Sequence, residues 1–203
     1  PEGVNMEIID GPFGLRFVKI EASEIYLGTD KGAWVYASER PRHRVSLPSF
    51  MIMKEPITES QYSMILGEEG NSEELKDMIT NDDVKKISDI LSQHFDEEVR
   101  RPTQSEWKAA EGVISLPCGW TELLADEATG NHRGASLDGR PRIGEMIGPM
   151  AGHRVSQSAH PTKEGVYAQV ATPGVRTLPK VGFSLVVSPK RVVDTPRVPD
   201  NAN

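Results

Sequence analysis

Arg100-Arg101-Pro102-Thr103-Gln104-Ser105-Glu106-Trp107 compresses a helix start, its cap and a large aromatic anchor into one short stretch. Thr103 and Glu106 have the spacing of a capping box, in which the hydroxyl accepts from the third helical amide and the carboxylate reaches back to the amide of the cap. The helix so opened runs through Trp107, Ala109 and Ala110 and stops at Gly112, a residue suited to a left-handed helix end. Trp107 is a large apolar group among polar neighbours, and it reads as a core anchor rather than a binding residue.

Upstream, the same signals recur. Thr58 and Gln61 form another capping box ahead of Tyr62, Ile65 and Leu66. Val84, Ile87, Leu91 and Phe95 mark one face of a longer amphipathic helix, with Asp82 or Asp83 near its start. Before these helices, apolar and polar positions alternate in Phe17-Val18-Lys19-Ile20, in Glu24-Ile25-Tyr26-Leu27-Gly28 and in Arg44 to Phe50, the pattern of half-buried strands. Thr29 to Pro41, with Gly32, Trp34 and Tyr36, reads as a surface loop.

Downstream of Gly112 the chain is rich in glycine and proline, lacks long periodic runs and reads mainly as loop. It nevertheless ends in Val181-Gly182-Phe183-Ser184-Leu185-Val186-Val187, a strand-like segment, so the preceding loops are expected to fold back on a sheet. We expect one domain over residues 1–191 and a proline-rich tail over 192–203, extended or in a subunit contact.

The 203 residues are 37% hydrophobic and 26% charged, which suffices for a core without staples. Cys118 is the one cysteine, which excludes an internal disulfide and cysteine-based structural zinc, and is expected to be a buried, small apolar residue. The net charge of −7 argues against a nucleic-acid partner. Arg40, Arg42, His43 and Arg44 form a local basic spot, as do Lys190 and Arg191, and both read as solvated or ion-paired faces. No stretch approaches the roughly 18 apolar residues of a membrane span. No basic-then-apolar leader marks a secretory signal. The five histidines lack metal-ligand spacing, and no Gly-rich phosphate loop, H-E-x-x-H or G-x-S-x-G is present.

The order of these stretches resembles the formylglycine-generating-enzyme and sulfatase-modifying-factor domain, a subset of the C-type-lectin fold. Residues 24–28 are similar to its F-x-M-G strand, residues 39–45 to E-x-P-x-H-x-V, residues 56–62 to P-V-T-N-x-Q-Y and residues 100–107 to R-L-P-T-E-A-E-W. Arg133-Gly134-Ala135-Ser136 is similar to R-G-G-S, and residues 181–186 to x-G-F-R-L-V. The resemblance implies an α+β chain of that fold, with short antiparallel sheets, two to three helices and many loops. It makes His43 a structural turn residue.

The departures bear on function. Enzymes of this family need two cysteines late in the chain to bind copper, and residues 132–187 contain none. Residues 118–126 align with G-N-V-W-E-W-x-x-D, where Gly119 replaces an asparagine that the family uses for structural calcium; Glu122 and Asp126 remain and are expected to be held by internal hydrogen bonds. No catalytic residue, metal or cofactor is therefore expected, and the chain reads as non-enzymatic.

Non-enzymatic members of the fold include the variable proteins of diversity-generating retroelements, found in phages, bacteria and archaeal viruses. Their variable segment lies between an R-G-G-S-like start and the closing G-F-R-L-V, the interval Arg133 to Val186 here. Diversification there targets adenines, so asparagine codons are the typical variable positions. Asparagine occurs at 5, 71, 81, 131, 201 and 203 but nowhere from His132 to Asp200, where the chain's own frequency would supply roughly two. The ligand-binding residues expected are Leu137, Asp138, Arg140, Arg142, Ile143, Val175, Thr177, Leu178 and Lys180, which lie just inside the two framework motifs. The resemblance points to a protein or glycan receptor on a target surface as partner and to a virion or cell surface rather than the cytoplasm. Oligomers are compatible with it. A divergent oxygenase and a structural virion component are the competing readings.

Overall fold

In the computed structural model, residues 7–30, 40–129, 131–143, 153–159, 166–173, 179–190 and 196–200 are described. The chain is α+β. One sheet has the order β1-β2-β5-β11-β6, built from β1 (Ile8–Asp10), β2 (Arg16–Ile20), β5 (Phe50–Met53), β6 (Glu98–Arg100) and β11 (Val186–Ser188). A hairpin pairs β3 (Ser23–Leu27) with β4 (His43–Leu47), whose strict alternation buries His43, Val45 and Leu47 and leaves Arg44 and Ser46 outside. The helices are α1 (Glu59–Leu66), α2 (Asn81–Phe95) and α3 (Gln104–Ala109).

The first sheet is covered on both faces, which is why β11 is fully buried. On one side Val187, Phe17, Met53 and Phe183 pack with Ile65 of α1 and Val84, Ile87 and Leu91 of α2. On the other, Val186 and Ile52 pack with Val45 and Leu47 of β4, Phe50 and Ala110. Each helix begins with a capping box: Thr58 with Gln61, Thr80 with Asp83, and Thr103 with Glu106. The expected boxes at Thr58 and Thr103 are thus present, and Thr80 adds one the sequence reading did not single out.

Two expectations are corrected. The stretch after Gly112 is not mainly loop: β7 (Thr121–Glu127), β8 (His153–Ala159), β9 (Val166–Pro173) and β10 (Val181–Gly182) form a second sheet in the order β10-β7-β8-β9. β8 is almost wholly polar and signals no strand alone; the ladders on both its sides create it. Cys118 is exposed rather than buried, because it rides a turn closed by Trp120 N donating to Pro117 O and followed by Gly119 at φ 77°.

Val181–Val187 is paired, but as two strands in different sheets. β10 runs parallel to β7, and β11 lies antiparallel between β5 and β6. Between them Phe183 O and Leu185 O accept from Ile57 N and Met53 N, so the crossing segment keeps its backbone satisfied while it joins the sheets. Part of the Thr29–Pro41 loop, with Trp34, Tyr36 and Glu39, lies outside the described residues, as does Arg191. No helix among the described residues is long and apolar enough to cross a membrane.

Candidate functional site

α3 and β7 carry the polar frame on which the irregular segments rest. Arg100 donates to both oxygens of the buried Glu106, at 2.7 and 2.8 Å, and Glu106 also takes the amide and hydroxyl of Thr103. Such a bidentate pair is among the stronger side-chain contacts available. Trp107 Nε1 donates to Glu122 Oε2 at 2.9 Å, and the hydroxyl of Ser184 donates to Glu122 Oε1. One carboxylate thereby ties α3, β7 and the crossing segment together. Burial raises the pKa of Glu122, opposed by these two donors.

Asp126 accepts the backbone N–H of Gln104 at 2.7 Å and of Arg142 at 2.8 Å. Its pKa is also raised by burial, against the pull of those amides. Both acidic groups thus accept internal hydrogen bonds at both carboxylate oxygens, as expected. The copper-thiolate site implied by the family does not fit this chain, whose single cysteine is exposed in the turn before β7. Among the described residues no group of three or more His, Cys, Asp or Glu side chains is placed to hold a metal ion.

The segment Asn131–Ile143 is pinned from several sides. His132 N donates to Arg40 O at 2.6 Å, Ser46 N donates to Leu137 O at 2.8 Å, and Glu127 N donates to Arg142 O at 2.7 Å. Residues from the C-terminal stretch close it: Gly134 N donates to Val198 O, Leu137 N to Pro196 O, and Val198 N to Ala135 O. Beneath it lie the buried rings of His43 and His132, nearly perpendicular with centroids 5.0 Å apart. His43 Nδ1 donates to Pro41 O at 3.1 Å, which makes His43 structural, as expected.

The candidate residues sit differently within this frame. Leu137 and Asp138 line a cavity of about 540 Å³ with Arg42, His43, Arg44 and Ser46 on one wall and Pro196, Val198 and Pro199 on the other. Asp138 accepts from Ser136 Oγ at 2.7 Å and pairs with Arg140 Nε at 3.2 Å. Arg142 turns inward, its guanidinium donating to Thr129 Oγ1 and Asn131 O. Ile143 is 58% exposed, unusual for a large aliphatic side chain. Lys180 is also exposed, at φ 56°, with its amide held by Asp77 Oδ2.

Leu137 to Ile143 thus form one contiguous group. Lys180 does not join it: Lys180 O accepts from Thr121 N at the start of β7, while Arg142 O accepts from Glu127 N at its end, and that strand is roughly 20 Å long. Val175, Thr177 and Leu178 lie outside the described residues. The cavity wall supplied by β4 was not among the candidates, although the basic run Arg40–Arg44 and the strand alternation placed Arg44 and Ser46 on its outer face. Arg42 is fixed there by stacking 4.2 Å over the Tyr26 ring.

The family model that matches is described as the sulfatase-modifying factor enzyme 1-like domain and spans residues 14–115, half of the chain. The chain belongs to this family. Among solved structures, PvdO from Pseudomonas aeruginosa is similar with a TM-score of 0.68 and 14% identity, over 90% of this chain and 98% of that one. Treponema denticola variable protein 1 is similar with a TM-score of 0.61 and 15% identity, over 92% of this chain and 100% of that one. At such identities the likeness concerns the fold. No curated protein sequence matches.

Proposed function

We propose that this protein binds a ligand or receptor without transforming it, through a surface held by the frame and centred on Leu137, Asp138, Arg140 and Ile143. The supporting observation is the backbone anchoring of Asn131–Ile143 to β4, β7 and the C-terminal segment, which presents Ile143 to solvent on a fixed main chain. A preformed surface forfeits little ordering entropy on binding, so mixed polar and apolar side chains can give specificity by shape and hydrogen bonding. Arg142 contributes by holding the segment, and Val175, Thr177, Leu178 and Lys180 complete the proposed set from the far end of the variable interval.

In this reading the protein acts as a diversified display protein, like the variable proteins of diversity-generating retroelements, with a protein or glycan on a target surface as partner. The fold shared with Treponema denticola variable protein 1 and the absence of asparagine from His132 to Asp200 support it. The nucleotide sequence flanking the gene tests the diversification: a reverse transcriptase and an adenine-rich template repeat are expected, and their absence counts against it. Incubation with copper and a sulfatase-type cysteine peptide tests the non-enzymatic part. No oxidation is expected, and turnover would overturn the reading in favour of an oxygenase.

A further inference from the structure

Arg101 and Arg154 form a cationic pair that the surface above does not use. Arg101 stands between β6 and α3 and is 7% exposed; Arg154 lies in β8 and is half-buried. Arg101 donates one guanidinium N–H to Asn81 Oδ1 at 2.6 Å, in the first turn of α2, and Arg154 donates one to Ala125 O in β7. The Nε–H of each is buried with no acceptor among the described residues. Burial and the neighbouring Arg154 push Arg101 down to about 10, so it remains a cation at neutral pH.

The acids nearby are already committed. Glu106 and Glu98 serve Arg100, Asp126 takes the amides of Gln104 and Arg142, and Asp83 caps α2 through Thr80. Among the described residues no ion pair reaches Arg101 or Arg154. Desolvating one unpaired charge is costly, and placing a like charge beside it adds repulsion. Two guanidinium groups with unused donors are the arrangement that recognises planar or tetrahedral oxyanions, because each fork offers parallel N–H groups to two oxygens.

We infer that Arg101 and Arg154 clamp a small oxyanion, the phosphate or carboxylate group of a ligand, between the start of α2 and the β7–β8 ladder. Asn81 orients the Arg101 fork, and Ala125 O orients that of Arg154. Neither arginine belongs to Leu137–Ile143, and failure of this inference would leave the binding reading untouched.

Thermal unfolding of the full chain tests this, with inorganic phosphate or acetate titrated at ionic strength held constant by sodium chloride. A ligand that binds only the folded state raises the midpoint with its concentration. A rise of several degrees is expected with phosphate, acetate or both: phosphate alone identifies a phosphoryl ligand, and a response to acetate shows that carboxylates are accepted. In Arg154→Gln the response should vanish. Arg101→Leu should also lose it, with a midpoint in chloride at least equal to that of the parent. No rise with either anion, or a rise of undiminished size in Arg154→Gln, overturns the proposal.

Discussion

His132 illustrates how one buried side chain sets a condition on the whole binding segment. Burial, His43 and Arg142 together push its pKa down to about 4. A base whose folded pKa is lowered binds its proton better when unfolded, so its contribution is complete above the ordinary histidine value and is lost as pH falls from about 6.5 towards 4. Urea unfolding should show about 2–3 kcal/mol lost through this residue between pH 7 and 4.5. Glu122 and Asp126, raised by burial, work in the opposite sense. The decisive comparison is therefore with His132→Gln, whose stability should depend less steeply on pH; an equal dependence would refute the assignment. Neighbouring residues of the segment should separate cleanly. Arg142→Ala removes donors to Thr129 and Asn131 and should cost about 1–3 kcal/mol. Ile143→Ala, at an exposed position, should stay within about 0.5 kcal/mol. Chemical denaturation of the two variants distinguishes holding from presenting.

At the scale of elements, the capping boxes carry much of what could be read directly. The Thr103 side chain is buried and accepts from Glu106 N at 3.2 Å. Thr103→Ala should lower stability by about 1–2 kcal/mol in equilibrium unfolding, and a neutral result would mean that α3 is held by Trp107 packing alone. Local chemistry of this kind is legible because cap and partner lie three residues apart. The strands of the first fifty residues were legible for the same reason, through alternation. By contrast, β8 has a polar sequence and exists through the ladders with β7 and β9, a long-range cause with no local signature. The apolar run Val181–Val187 gave no hint of its break, because Phe183 and Leu185 remain buried while their carbonyls accept from Ile57 N and Met53 N. The segment Leu137–Ile143 was legible from its flanking motif, but its cavity partners on β4 and at Pro196–Pro199 were brought in by tertiary hydrogen bonds. Arg101 occupies a position where the resembling pattern R-L-P-T-E-A-E-W carries leucine, and only its burial beside Arg154 gives that difference a meaning.

For the molecule as a whole, the C-terminal stretch links the end of the chain to the proposed binding surface. Val198 is 4% exposed yet belongs to neither apolar cluster of the first sheet. Its backbone bonds go to Gly134 and Ala135, and Pro196 O accepts from Leu137 N. The two cores should therefore form without it, while Asn131–Ile143 should depend on it. A chain ending at Thr195 should still unfold cooperatively but lose about 2–4 kcal/mol, from one buried valine, three backbone hydrogen bonds and the Arg197 guanidinium bond to Gly134 O. Hydrogen exchange should speed up selectively at the Gly134 and Leu137 amides, which lose their acceptors, while amides of β5 and β11 keep their protection. Faster exchange throughout the first sheet would instead make the stretch part of the global fold. Unchanged exchange at Gly134 and Leu137 would mean that β4 and β7 suffice to hold the surface, since Ser46 N and the Asp126 carboxylate grip it independently.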